Sequence, residues 1–360
     1  MIDNFIIDLV VTENCNLKCK YCYEEHRDIN MTEENFDHFY SVTLPQLRKL
    51  YDFNTYSLHF FGGEPLLNFK LIKYIVPILK KDRMCIDCSI VTNGLLINEE
   101  IQKFVMDNCI NYSVSFDGLG NKFNRVDINE ESTYDIYKNN EVLRKHLTGV
   151  HLTIDPNTAT MLDEILIDLV ENWGMTGIDF SLVRDDIWSD KDIKAFKEAN
   201  DRLADKWIEY IKKGIPLTRS WFTLVLKDVI QYKKTKYKRP YCCFAGYNGV
   251  AVMPSGDVYP CARFGSERNK PIIKNDIIDN DMYEFFKSDE LDQTKNKKCL
   301  NCYLYNYCNA GCKYSQIENK FLPLESVCKL NKIIFNSAIK IHNELKDNSL
   351  WLKSLDYTQN

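Results

Sequence analysis

Apolar and β-branched residues recur through the first 215 or so residues in short runs at 5–12, 56–61, 88–92, 111–116, 150–154 and 177–183. Each run is rich in Val, Ile and aromatics and bounded by turn residues, the pattern of a β-strand. Longer stretches with helical spacing separate them: Thr32–Leu50, Leu71–Lys81, Asn98–Asn108, Tyr134–His146, Leu162–Asn172 and Asp190–Lys213. Thr32 and Asn98 precede acidic first turns and read as N-caps. Six β-then-α units predict an α/β fold, a parallel sheet with right-handed crossovers, open or closed into a partial (β/α)6 barrel over residues 1–215. The alternation ends near Gly214. A connector follows at 216–241, carrying the basic, Tyr-rich QYKKTKYKRPY, then a cysteine-dense domain at 242–330 and a helical tail at 331–360.

In such folds ligands gather at the carboxyl ends of the strands. Cys15, Cys19 and Cys22 follow the first strand there, spaced C-x3-C-x2-C. Gly62-Gly63-Glu64-Pro65 follows the second strand, Asn93-Gly94 the third and Asp117-Gly118 the fourth, so all four segments fall on one rim. Three thiols are too few for a paired disulfide framework and one short of a closed zinc site, for which His26 is the nearby fourth candidate. An iron–sulfur cubane held by three thiolates instead keeps one iron open to a ligand.

Composition narrows the setting. With 45% hydrophobic residues among 360, the chain fills a core. Its net charge of -5, with Lys and Arg scattered among acids, gives no footprint for nucleic acid. The N-terminus carries Asp3 and Asp8 and no basic segment, unlike a signal peptide. No apolar run approaches the roughly 20 residues that span a bilayer. A soluble cytoplasmic protein is expected, where closely spaced thiols among the 14 cysteines read as metal ligands.

The motifs resemble those of the radical S-adenosylmethionine enzymes. That family's C-x3-C-x-aromatic-C is matched by Cys15, Cys19, Tyr21 and Cys22, and its G-G-E-P by Gly62 to Pro65. Its T-N-G is matched by Thr92-Asn93-Gly94, and its S-x-D-G by Ser115 to Gly118. The resemblance covers residues 5 to about 185. It implies that the three cysteines hold a [4Fe–4S] cluster whose open iron chelates S-adenosylmethionine. Gly62, Gly63 and Glu64 would then meet the cofactor's amino group, Arg125 its carboxylate, Ser115 its ribose or carboxylate, and Tyr21 its adenine; Thr92 and Asn93 belong to the same cofactor-binding set.

The second cysteine zone reads C-x12-G-x4-C, a gap, C-x2-C-x5-C-x3-C, a gap, and C. By spacing alone, a pair of zinc sites fits as well as iron. Beside the first motif, it resembles the SPASM domain, which binds two auxiliary [4Fe–4S] clusters. The resemblance assigns Cys299, Cys302, Cys308 and Cys328 to an outer cluster, and Cys243, Cys261 and Cys312 to an inner one. The inner cluster's fourth position is open or taken by Cys242. Cys85, Cys88 and Cys109 are expected as small buried hydrophobes.

This family implies an oxidoreductase acting on a peptide or protein. The first reading is maturation of a ribosomally made peptide by hydrogen abstraction, giving a thioether, a carbon–carbon crosslink or an oxidised residue. The second is formylglycine formation in a sulfatase-type protein, whose enzymes carry an acid just before the auxiliary domain. Here RSWFTLVLKD (219–228) has Thr223 at that place, and Asp228 a turn later. A non-enzymatic zinc-binding or electron-carrier protein is the reading from another class. Expected partners are a flavodoxin- or ferredoxin-type electron donor and, since only 14 residues precede Cys15, a separate leader-binding protein. The sequence nominates no catalytic base.

Overall fold

The computed structural model describes residues 2–235, 243–265, 269–287, 297–308 and 311–356. These form two compact units, one from 1–18, 22–114 and 243–290, the other from 19–21, 115–242 and 291–360.

The first unit is built on one sheet. Strands β1 (Phe5–Thr12), β2 (Tyr56–Gly62), β3 (Cys85–Thr92) and β4 (Asn111–Val114) pair in parallel in sequence order. On the other side of β1 lies β7 (Gly249–Val252), also parallel, then β8 (Val258–Tyr259), β9 (Ile273–Lys274) and β10 (Ile277–Ile278), all antiparallel. The sequence pattern gives no sign of this extension, because its strands are only two to four residues long. β1 is buried at seven of its eight positions, as suits a strand paired on both edges. Around it Phe5 stacks on Phe53 with ring centroids 4.5 Å apart, and both are fully buried.

Helices α1 (Glu33–His38), α2 (Leu44–Tyr51), α3 (Phe69–Leu79) and α4 (Glu99–Asp107) fill the crossovers. The Thr32 hydroxyl accepts from Asn35 N–H and the Asn98 carbonyl oxygen from Ile101 N–H, so both expected N-caps form. A π-turn at Phe39–Thr43 joins α1 to α2 where one helix was expected. Cys109 departs from expectation. It is exposed, with φ 53°, at the left-handed position that ends α4. Its N–H and that of Ile110 bond back to Met106 and Val105, a closure in which glycine is the usual residue. Cys85 and Cys88 are half-buried.

The second unit pairs β5 (Gly149–Ile154) with β6 (Gly177–Leu182) in parallel. One isolated bridge, Ser115 to His151, stands where a continuous six-strand ladder was expected. The helices here are α5 (Tyr134–Asn139), α6 (Glu141–His146), α7 (Leu162–Ile167), α8 (Asp190–Lys212) and α9 (Trp221–Thr235). Ser189 and Asp192 make a reciprocal capping box on α8. Most of the expected connector is thus helix α9; residues 236–241 lie outside the described residues. A 21-residue helix Glu325–Leu345 packs on α8 and α9 and runs through residue 330, the expected boundary of the tail.

Candidate functional site

In the first unit three loops are tied together. Gly63 N–H donates to Thr12 O at 3.0 Å and Glu64 N–H to Asn14 O at 2.9 Å. A Cβ on Gly62 would lie 2.0 Å from Thr12 O, and one on Gly63 2.3 Å from Asn14 O. Both glycines are therefore required by the loop that leads into Cys15, before any ligand is considered. The Glu64 carboxylate, fully buried, accepts from Leu66 N–H (3.0 Å), Thr92 Oγ1 (2.7 Å) and Asn93 N–H (2.7 Å). Asn93 then donates from Nδ2 to Asn16 Oδ1 at 2.7 Å and approaches Cys15 Sγ at 4.0 Å. Expected as cofactor contacts, Gly62, Gly63, Glu64, Thr92 and Asn93 stand together as the frame that shapes the Cys15 loop.

In the second unit Asp117 is the hub. It is fully buried and accepts from the Tyr21 hydroxyl and, at 2.9 Å, from Thr153 N–H. Arg125 Nε lies 3.2 Å from the same carboxylate, an ion pair without hydrogen-bond alignment. Its Nη1 approaches Cys19 Sγ at 3.9 Å, and its guanidinium sits 5.6 Å from the Tyr21 ring centroid. Burial pushes the Cys19 thiol up and the Arg125 charge opposes that shift. Burial likewise raises the Tyr21 phenol. Tyr21 and Arg125, expected at a cofactor's adenine and carboxylate, are both tied to Asp117. Ser115 is half-buried and reachable. Asp117 went unassigned in the sequence, although the S-x-D-G motif contains it.

The outer cysteine set falls within the second unit. Burial pushes the Cys328 thiol up to about 11, and the charges of Cys308, Cys299 and Cys302 add to that while Lys298 opposes. Cys302 N–H closes a turn on Cys299 O at 2.9 Å, and Asn331 Nδ2 donates toward Cys308 Sγ at 3.7 Å. Four cysteines of one unit, with an amide donor to one sulfur, are of the donor type that an iron–sulfur cluster takes. Cys312 stands at the N-cap of the short helix Lys313–Glu318. Cys243 and Cys261 belong to the first unit; Cys242 lies outside the described residues. The glycine of C-x12-G-x4-C is Gly256, with φ 89° in the turn between β7 and β8. Among the described residues no three His, Cys, Asp or Glu side chains form a ready site for a single metal ion.

One more feature escaped the sequence reading. Burial first, then Glu13 and Asp8, push the Glu24 carboxyl up to about 8 against the pull of Arg27. Its Oε1 is buried without a hydrogen-bond partner. The signal was the acidic pair Glu24-Glu25, one residue beyond Cys22. Thr223, at the position examined for an acid, is fully buried and bonds back to Ser220. It serves the start of α9.

Two segments of the chain match known family models. Residues 9–155 match the radical SAM superfamily model and residues 242–312 the SPASM model, an iron–sulfur cluster-binding domain. A radical SAM cyclopropyl synthase of Paramaledivibacter caminithermalis is 25% identical, over 93% of this chain and 74% of the relative. A cysteine-type anaerobic sulfatase-maturating enzyme of Clostridium perfringens is 23% identical, over 93% and 97%. Among solved structures, anSMEcpe with bound AdoMet superposes with a TM-score of 0.77 at 20% identity, covering 99% of both chains. Streptococcus suis SuiB bound to the precursor peptide SuiA gives 0.56 at 18%, covering 91% of this chain and 76% of that one. The likeness to these structures shows the α/β fold, with the auxiliary domain at the carboxyl end. Matches to the radical SAM superfamily at residues 9–155 and to the SPASM iron–sulfur cluster-binding domain at residues 242–312 are thus both found in this chain.

Proposed function

We propose that this chain is a radical S-adenosylmethionine maturase that abstracts a hydrogen from a side chain of a ribosomally made peptide. In this reading Cys15, Cys19 and Cys22 hold the radical cluster. Cys299, Cys302, Cys308 and Cys328 hold an outer auxiliary cluster, and Cys243, Cys261 and Cys312 an inner one. The observation that carries it is the tie from Glu64 through Asn93 to the Cys15 loop. A lone zinc or electron-carrier protein has no need of a buried carboxylate that orients one cysteine loop.

When bound, the reduced cluster and S-adenosylmethionine supply a 5′-deoxyadenosyl radical able to take hydrogen from an unactivated carbon. The protein's own groups do the positioning. Glu64 and Asn93 fix the path of the cysteine loop. Asp117 holds the Arg125 guanidinium beside Cys19, where its charge opposes the effect of burial on the thiol. Ser115 is left free to contact the nucleoside.

A crosslink or oxidised residue is favoured over formylglycine because Thr223 occupies the place of the acid and is sealed in a helix cap. A similar solved structure, SuiB, is bound to a precursor peptide, which supports a peptide substrate. An external flavodoxin- or ferredoxin-type donor and a separate leader-binding protein complete the proposal. Cytoplasmic placement is part of it; no described helix is long and apolar enough to cross a membrane. The test is anaerobic turnover of reconstituted enzyme with the short peptides encoded by neighbouring reading frames. Mass spectrometry should show loss of two hydrogens per modification. Conversion of a sulfatase Cys or Ser to formylglycine, or a colourless zinc-loaded protein, would reject the reading.

A further inference from the structure

Strands β5 and β6 carry a polar row that the motifs do not explain. Val150, Leu152 and Ile154, with Ile178, Phe180 and Leu182, are buried on one face. Strand alternation puts His151, Thr153, Asp179 and Ser181 on the other, and all four remain partly accessible. His151 and Asp179 are direct register partners, with Nδ1 3.4 Å from Asp179 Oδ2. The row reaches a third chain segment: Ser115 bridges to His151, and Phe116 N–H donates to His151 O at 3.0 Å. Parallel partners share a face, so Ser115, His151 and Asp179 stand side by side, each roughly 4.8 Å from the next. One step along, Thr153 N–H donates to Asp117, the hub beside Cys19.

The chemistry of the row selects its ligand. With Nδ1–H donating to Asp179, His151 offers Nε2 as an acceptor. Asp179 adds negative charge, which disfavours a carboxylate and favours a group rich in O–H donors near a cation. The ribose diol of S-adenosylmethionine, next to its sulfonium, is such a group. We propose that His151, oriented by Asp179, is a positioning residue that accepts a hydrogen bond from a ribose hydroxyl of S-adenosylmethionine. This rests on the radical S-adenosylmethionine reading above and adds a residue that the family motifs do not assign.

The experiment is calorimetric binding of S-adenosylmethionine and its 2′-deoxy and 3′-deoxy analogues to anaerobically reconstituted enzyme, parent against His151→Leu. One neutral hydrogen bond predicts that the parent binds one of the analogues about tenfold more weakly than the natural cofactor. In His151→Leu the natural cofactor should weaken by that same factor, and that analogue should bind no worse than it. Asp179→Asn, a milder change, should give a smaller loss at unchanged iron content, so the claim survives a Leu variant that fails to fold. Parent-like affinity in both variants overturns the proposal, as do penalties of substitution and deoxygenation that simply add. A parent that holds iron but binds no S-adenosylmethionine overturns the maturase reading as well.

Discussion

The carboxylate of Glu64 accepts a hydrogen bond from the backbone N–H of Asn93 at 2.7 Å, joining the loops that follow β2 and β3. Because Asn93 also reaches Asn16 and Cys15, this one contact governs how the cysteine loop sits. Glu64→Gln turns an amide donor toward at least one of the N–H or O–H groups now satisfied. Leaving such a buried donor unpaired costs about 1–3 kcal/mol. Thermal melting should fall accordingly, and iron at the radical site should be lost before iron at the auxiliary sites. Parent-like melting and iron content would show that the carboxylate is not the brace.

Gly63→Ala places a methyl group 2.3 Å from Asn14 O, a backbone atom that cannot swing aside. Overpacking of this kind costs about 1–3 kcal/mol. Urea unfolding should report the loss, and reconstituted variant should yield less 5′-deoxyadenosine than the parent. Parent-like values for both would show that the loop can move.

Arg125 and Asp117 form a buried pair, so removing one charge strands the other. Arg125→Leu should be destabilised by about 3–5 kcal/mol. The double variant Arg125→Leu, Asp117→Asn should be less damaged than the two single effects summed. Additivity in chemical denaturation would mean the two side chains do not act as a unit.

Replacing Cys15, Cys19 and Cys22 together by Ala should lower the iron content from roughly 12 to roughly 8 atoms per chain and abolish 5′-deoxyadenosine formation. Cys328→Ala and Cys312→Ala should each lose about four iron atoms, from different clusters, so their combination loses about eight. Cys302→Ala should keep uncoupled cofactor cleavage and lose peptide product. Stoichiometric zinc, with iron near four, would refute the auxiliary assignment.

Cys109 occupies a left-handed helix terminus in the open. Cys109→Gly should stabilise the chain by about 1 kcal/mol, since the left-handed penalty falls on side chains with a Cβ. Equal or lower stability by urea titration would show that the loop has already relaxed.

The six parallel strands and the caps at Thr32 and Asn98 were legible because period-two runs and capping residues are local signals. The β7–β10 extension was not, since Ile273–Lys274 and Ile277–Ile278 are too short to show a period. The break of the Tyr134–His146 helix at Asn140 was hidden by uniform helical spacing on both sides. At the site, motif order names segments but not the protein partners of their side chains. Glu64 also meets Thr92 and Asn93, and Arg125 meets Asp117. Those contacts join residues 28, 29 and 8 positions apart, and no pattern of types along the chain specifies which pairs will meet. His151 and Asp179 were invisible for the same reason.

The close passage of Gly62 and Gly63 over Thr12 and Asn14 sets a rule for anyone recombining these enzymes. Residues 12–16, 62–64 and 92–95 behave as one cassette, dispersed in sequence but indivisible in space. A chimaera that imports a foreign cysteine loop alone would meet a mismatched saddle beneath it and bind iron poorly. One that imports all three segments together inherits the mould with the casting.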